Sequence, residues 1–379
     1  MRIQFNHSER ATLGVEMELT IVDRSTGALV SAASEILDEI GRPHPGGMHP
    51  KAKHELFECT VEIITGICDT VAEARADLAT TLAEVWAAAR ERGLALVCAG
   101  SHPFSSWHEQ IVSPPSRYGE LVDEMRWTAQ RLQIFGIHFH VGVRSGEKAI
   151  AIANALTLYL PHFLALSASS PYWEGRDTGL ASCRVKVFEA LPTAGLPPHL
   201  DDWADFERFM HTLVTAEAIK TIREVWWDIR PHPVFGTVEL RICDGVPTLH
   251  EIAALAALAQ SLVTWFDERL DAGDPLPVPR DWVMRQNKWL AARHGVDAAL
   301  IFDEQGNRRP VRQWVTELVD DLAPVAARLG CGPELGTVRG ILECGPSYLR
   351  QRRVVVGGGT LVDVVGALVR ELETDAVLA

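Results

Sequence analysis

Positive charge is scarce in this chain: 36 Lys and Arg stand against 50 Asp and Glu, for a formal net charge of −14 over 379 residues. That balance excludes non-specific binding to nucleic acid, which needs a basic surface, and it leaves room for carboxylates that hold metal. No CxxC pair occurs among the seven scattered cysteines at 59, 68, 98, 183, 243, 331 and 344, so neither a disulfide framework nor a zinc ribbon is indicated. Met1 to Arg10 lacks the apolar core of a signal peptide, and free thiols in a reducing cytoplasm are expected. No clean membrane span is present either. The longest apolar stretch, Ala149 to Ala168, contains Asn154, Thr157, Pro161 and His162 and reads as a buried helix kinked or ended near Pro161. Repeats and low-complexity tracts are absent. Gly357-Gly358-Gly359-Thr360 has neither the lysine of a P-loop nor the spacing of GxGxxG, so it reads as a loop ending in a threonine N-cap. Trp226-Trp227 reads as core rather than as a nucleotide platform.

What the chain does have is an apolar content of 47%, ample for a large core, and four short segments with apolar and polar residues in alternation. They are Leu13 to Ile21, Phe57 to Ile63, Ile137 to Val143 and Val238 to Ile242. Side chains two apart share a face of a strand. Leu13, Val15, Met17 and Leu19 therefore point one way, and Glu16 and Glu18 the other. Glu58 with Glu62, His138 with His140, and Glu239 with Arg241 follow the same rule. If the four strands share a sheet, one face is a hydrophobic floor and the other gathers groups that are costly to bury unpaired. Such a face binds cations and, through them, phosphate.

Each constellation has a plainer reading. A lone ExE is most often the solvated face of an edge strand, and here the repetition in three further segments weighs against it. Glu55 lies seven before Glu62 and joins the cluster only from a loop or a bulge. His138-Phe139-His140 is compatible with two ligands, with one ligand and its neighbour, with a pair of core histidines, or with a zinc hydrolase. Carboxylates outnumber the histidines, which favours a hard cation, Mg²⁺ or Mn²⁺. Thr237, Glu239, Arg241 and Cys243 share one face, placing a carboxylate beside a guanidinium suited to phosphate or carboxylate; an ordinary Glu/Arg pair is the alternative, and Cys243 is packing. Arg176, Thr178, Ser182 and Arg184 form a polar loop, either an anion clamp or a solvated turn.

Further expectations concern the frame around these strands. Asp69 or Thr70 caps a long helix that stops at Gly93, and Leu94 to Cys98 is a buried strand. A helix runs from about Tyr118 to Phe135, Val185 to Phe188 is strand, and Asp201 or Asp202 caps a helix to about Ile219. Helical patterns cover Thr248 to Leu270, Asp281 to His294, Val311 to Leu329 and Leu361 to Glu373. The C-terminal helices are too thin in core of their own to fold alone, so the linker Ala272 to Pro279 is not taken as a boundary.

In chain order, Gly14-Val-Glu-Met-Glu-Leu, Gly136-Ile-His-Phe-His-Val-Gly, Trp226-Trp-Asp-Ile-Arg-Pro-His-Pro and Gly236-Thr-Val-Glu-Leu-Arg-Ile-Cys-Asp resemble the type-2 glutamate-cysteine ligase family. These carboxylate-amine ligases belong to the glutamine-synthetase-like group. Trp173 to Arg184, Asn287-Lys-Trp and Arg293-His-Gly look similar too. The resemblance implies an α+β fold, a curved antiparallel sheet forming an active-site funnel flanked by helices, in a single catalytic domain over 1–379. It implies ATP with two or three Mg²⁺ ions (Mn²⁺ as substitute) held by Glu16, Glu18, Glu55, Glu62, His138 and Glu239. Arg241 and Arg184 fall where the family places arginines toward phosphate or acidic substrate, and Arg176 and Arg241 are carried over as nucleotide contacts. The implied reaction joins a small carboxylate, glutamate by its γ-carboxylate, to cysteine or another amine through an acyl phosphate. Nucleic acid and membrane are not among the expected partners, and a homo-oligomer stays open. A metal-dependent hydrolase built on the HxH pair, or a nucleotide-binding regulator without turnover, are the competing readings.

Overall fold

Residues 2–378 are described by a computed structural model. Seven strands form its main sheet: β1 (Leu13–Asp23), β2 (Ala52–His54), β3 (Thr60–Ile64), β4 (Leu94–Val97), β5 (Ile137–Gly142), β6 (Ile229–His232) and β7 (Thr237–Leu240). Their order is β6–β7–β5–β1–β3–β2, with every neighbouring pair antiparallel. β1 is long enough to carry β5 and then β4 along one edge while β3 lies along the other. The sheet is open, and its outer strands are β6 and β2.

Alternation decides the two faces. Leu13, Val15, Met17 and Leu19 are no more than 2% exposed, against helices Val71–Glu91 and Leu249–Asp271 beneath. Thr70 starts the first of these helices with a capping box to Glu73, and Thr248 caps the second. Leu249–Asp271 is long and apolar enough to cross a membrane, but 83% of its apolar window is buried inside the fold. Gln260 of this helix donates to Ala11 O and Asp69 O, as in a core helix. The stretch Ala149 to Ala168 is two helices, Gly146–Leu156 and Leu160–Ser167, bent by 64° with Pro161 in the first turn of the second. The same hydrophobic cluster runs from Leu13 to Leu372. Arg350 ties the C-terminal helices to it through buried ion pairs with Glu251 at 2.9 Å and Glu371 at 2.8 Å.

Several local expectations are corrected. The second acidic strand begins at Thr60, because Phe57 bridges to Val112 and Glu58 and Cys59 form a turn closed by Thr60 N–H to Phe57 O. Glu58 consequently leaves the polar face. It accepts from Ser34 N at 3.1 Å and Ser34 Oγ at 2.8 Å at the start of helix Ala33–Gly41, where backbone donors and the helix dipole favour a carboxylate. The helix expected to Phe135 stops at Met125. Arg126 takes φ 49°, and a short helix, Trp127–Gln130, follows. Arg184–Phe188 is helical rather than extended, and helices Gly332–Cys344 and Ser347–Val356 were not foreseen. Thr360 does cap helix Leu361–Thr374, and all seven cysteines are unpaired.

Candidate active site

Strand register assembles the polar face in three rows. Arg230 of β6 lies opposite Glu239 of β7, which lies opposite His140 of β5. His138 lies opposite Glu16 of β1, and Glu18 opposite Glu62 of β3, which faces Lys53 of β2. Glu55 joins them from the loop between β2 and β3, where Tyr118 Oη donates to it at 3.4 Å. A cavity above this face is lined by Glu18, Glu55, His138, Arg184 and Arg241, with Phe57, Leu121, Phe188 and Trp226 among its apolar walls.

The acidic groups divide into two sets. In the first, His138 Nδ1 is 2.9 Å from Glu16 Oε2, His140 Nε2 is 3.4 Å from Glu16 Oε1, and Arg241 is bonded to Glu239. One ligand atom each from Glu16, His138 and Glu239 lie within 4.8 Å of one another, a spacing suited to one cation. Burial would raise the Glu16 pKa, but hydrogen bonds to His138 and His140 outweigh it and hold this carboxylate well below its usual range. Burial acts on Glu239 likewise and is overcome by Arg230 and Arg241. His138 is pushed down to about 4, first by burial and then by Arg241; a neutral imidazole is what a metal requires.

The second set is poor in counter-charge. Burial and the nearby Glu55 push Glu18 up to about 8, and burial with Glu16 and Glu55 raises Glu62 well above the usual carboxylate value. Like charges crowded in a low-dielectric wall raise one another's proton affinity, and a cation among them relieves the repulsion. Oxygen donors in this number, with one imidazole, fit a hard divalent ion better than zinc.

Arginine completes the wall. Arg184 donates from Nη1 to Ile242 O and from Nη2 to Arg241 O, both at 3.2 Å, while Arg241 reaches Glu239 and lies 3.5 Å from His138 Nδ1. Among the described residues, the Nε–H groups of Arg184 and Arg241 are buried donors without a hydrogen-bond partner. Leaving such donors unpaired costs about 1–3 kcal/mol each, and both arginines line the cavity. Arg241→Lys keeps the charge and loses the planar fork. The expected outcome is a folded protein whose catalytic rate falls on the order of 10²-fold; an unchanged rate assigns Arg241 to a structural ion pair.

Other expected contacts do not converge. Arg176 is exposed on a small hairpin with Trp173 and does not line the cavity, so it is withdrawn as a nucleotide contact. Thr178 Oγ1 is spent on Pro171 O and Ser182 Oγ on Asp244, which removes the loop as an anion clamp. Cys243 is buried and its thiol is pushed up to about 12 by burial, inert as a nucleophile. Trp227 is core as expected, whereas Trp226 borders the cavity. Arg230 was missed: its Nε donates to Glu239 Oε2 at 2.7 Å and its Nη1 to Val225 O at 2.6 Å. Its alternation with His232 before the turn at Pro233 to Gly236 was the available signal.

Known proteins resemble this chain over nearly its whole length. The family model described as glutamate-cysteine ligase family 2 matches residues 12–367. A protein of Thermobifida fusca provisionally named glutamate–cysteine ligase 2 is 52% identical over 376 residues, covering 99% of this chain and 94% of its own. One from Frankia casuarinae, provisionally named glutamate–cysteine ligase 2-1, is 54% identical over 375 residues, covering 99% and 98%. Among solved structures, the glutamate–cysteine ligase of Francisella tularensis in complex with AMP superposes with a TM-score of 0.70 at 12% identity, over 98% of this chain and 90% of that one. A bifunctional glutathione synthetase from Pasteurella multocida gives 0.69 at 15%, over 96% and 52%. At these identities the two structures speak for the fold.

Proposed function

The chain belongs to glutamate-cysteine ligase family 2 and is a ligase, and on that footing we propose that it forms an amide from a small carboxylate and an amine at the expense of ATP. The γ-carboxylate of glutamate is the proposed donor and cysteine or another small amine the acceptor. Residues 1–379 act as one catalytic unit in the cytoplasm. The observation that carries this reading is the juxtaposition of a carboxylate-rich sheet face with two buried arginine N–H groups that have no protein partner. Such a wall suits a metal-bound polyphosphate.

The proposed steps follow from the poor reactivity of a carboxylate as an acyl donor. A donor oxygen attacks the γ-phosphorus of ATP and ADP leaves; the amine nitrogen then attacks the acyl carbon, phosphate leaves, and the nitrogen loses a proton. Glu16, His138 and Glu239, and Glu18, Glu55 and Glu62, would hold divalent cations, whose chemistry there would be to neutralise the charge of the phosphates. Arg241 and Arg184 offer their free Nε–H groups to the charge spreading over the transferred phosphoryl. Glu239 fixes the guanidinium of Arg241 in place, and Arg230 fixes Glu239. Among the described residues, Lys53 is held as an ion-pair partner by Glu62 and Cys243 is a buried thiol pushed up to about 12 by burial, so neither is an activated nucleophile for a covalent acyl-enzyme.

Hydroxylamine tests the route. With ATP, Mg²⁺ and glutamate it is expected to replace the amine and yield γ-glutamyl hydroxamate together with ADP. Hydroxamate from a different acid, and none from glutamate, overturns the donor assignment alone. If no acid yields hydroxamate while ATP is still cleaved in step with amide formation, the acyl phosphate is overturned. ADP release that needs neither acid nor amine overturns the ligase chemistry itself.

A further inference from the structure

Arg241 and Lys53 stand against the acidic face on different terms. Arg241 is locked in, its side chain 13% exposed between Glu239 and His138. Lys53 is not. It occupies the outer strand β2 directly across from Glu62, with Nζ 3.3 Å from Glu62 Oε1 and a side chain 45% exposed where that of Glu62 is 7% exposed. Among the described residues no other cationic side chain forms an ion pair with Glu62.

We infer that Lys53 is the exchangeable counter-ion of the acidic cluster: its ammonium neutralises Glu62 until a divalent cation takes that carboxylate, and the cation must displace it to bind. The inference rests on the proposed metal role of Glu62. A buried carboxylate beside Glu16, Glu18 and Glu55 needs a positive partner, and a point charge on a flexible four-carbon stem can serve without being committed. The Lys53 side chain is 45% exposed, so a divalent ion can displace the ammonium towards solvent without breaking a fully buried pair. Arginine at this position would grip the carboxylate with two parallel donors and compete harder with the metal. The strand edge thus regulates metal affinity through a residue that is not itself a ligand.

The test is a titration with Mn²⁺ alone, free ion read by electron paramagnetic resonance, without ATP and at low salt. It is run at one fixed alkaline pH for every variant, so that protons compete little and equally. Wild type is compared with Lys53→Met, which keeps the stem and removes the charge, with Lys53→Arg and with Glu62→Gln. Lys53→Met is expected to bind Mn²⁺ at least about three-fold more tightly through loss of a nearby like charge, Lys53→Arg no more tightly than wild type, and Glu62→Gln more weakly. If wild type binds and Glu62→Gln weakens binding while Lys53→Met leaves it unchanged or weaker, the counter-ion role is overturned and the metal site stands. If wild type takes up no Mn²⁺, or Glu62→Gln has no effect, the metal role of Glu62 fails and this inference with it.

Discussion

Glu16→Gln is expected to lower ADP release on the order of 10²–10³-fold while unfolding at nearly the same urea concentration as wild type. The amide keeps the shape and can still bond His138 across the 2.9 Å contact, but it removes a negative charge from the proposed site of the first cation. Glu239→Gln is expected to lose as much activity and, unlike Glu16→Gln, to be destabilised as well. Its carboxylate pairs with both Arg230 and Arg241, and Arg230 has no other acidic partner among the described residues. Breaking a buried pair of this kind costs about 3–5 kcal/mol, since a charge is left without compensation. Read as one more alternating strand residue, Glu239 carries no such penalty; the strand register supplies it. Glu58→Gln is the contrast, silent in turnover because Glu58 serves helix Ala33–Gly41. Circular dichroism in urea with a coupled ADP assay separates the three. Wild-type turnover in Glu16→Gln removes Glu16 from the site, and unaltered stability in Glu239→Gln removes the twin-arginine clamp.

Gly136→Ala is expected to leave the chain folded and to reduce turnover on the order of 10²-fold, the size of loss that follows a misplacement of about 1 Å. A Cβ there would lie 2.2 Å from Arg184 Nη2, closer than real contacts come, and 3.1 Å from Cys243 O, a tight one. The guanidinium would have to abandon Ile242 O and Arg241 O, which now hold it in the cavity wall. Gly136 N–H also donates to Glu18 Oε2 at 2.6 Å, so the same shift reaches the acidic set. Kinetics of Gly136→Ala, Arg184→Ala and the double variant are informative together. If the glycine acts through Arg184, the double variant is no slower than Arg184→Ala; additive losses reject that route and assign the effect to Glu18.

Alternation by itself determined which side of each strand is core and which is polar, because the period of two is a property of the extended backbone and needs no neighbour. It therefore presented Glu16, Glu18, Glu62, His138, Glu239 and Arg241 as face residues before any fold was known. It misjudged Glu58, whose even spacing from Glu62 assumed an unbroken strand where the bridge from Phe57 to Val112 turns the chain. Only the tertiary structure decided how the acids divide: pairing register sets Glu16 beside His138 and Glu18 beside Glu62, and register depends on strands distant in sequence. It also decided that Arg184 belongs to the cavity and Arg176 does not, though both lie in one polar stretch. Charge and residue type state what a group can bind. Which groups lie near enough to bind the same thing is set by packing, and the cost of burying each charge is set by the partners that packing supplies.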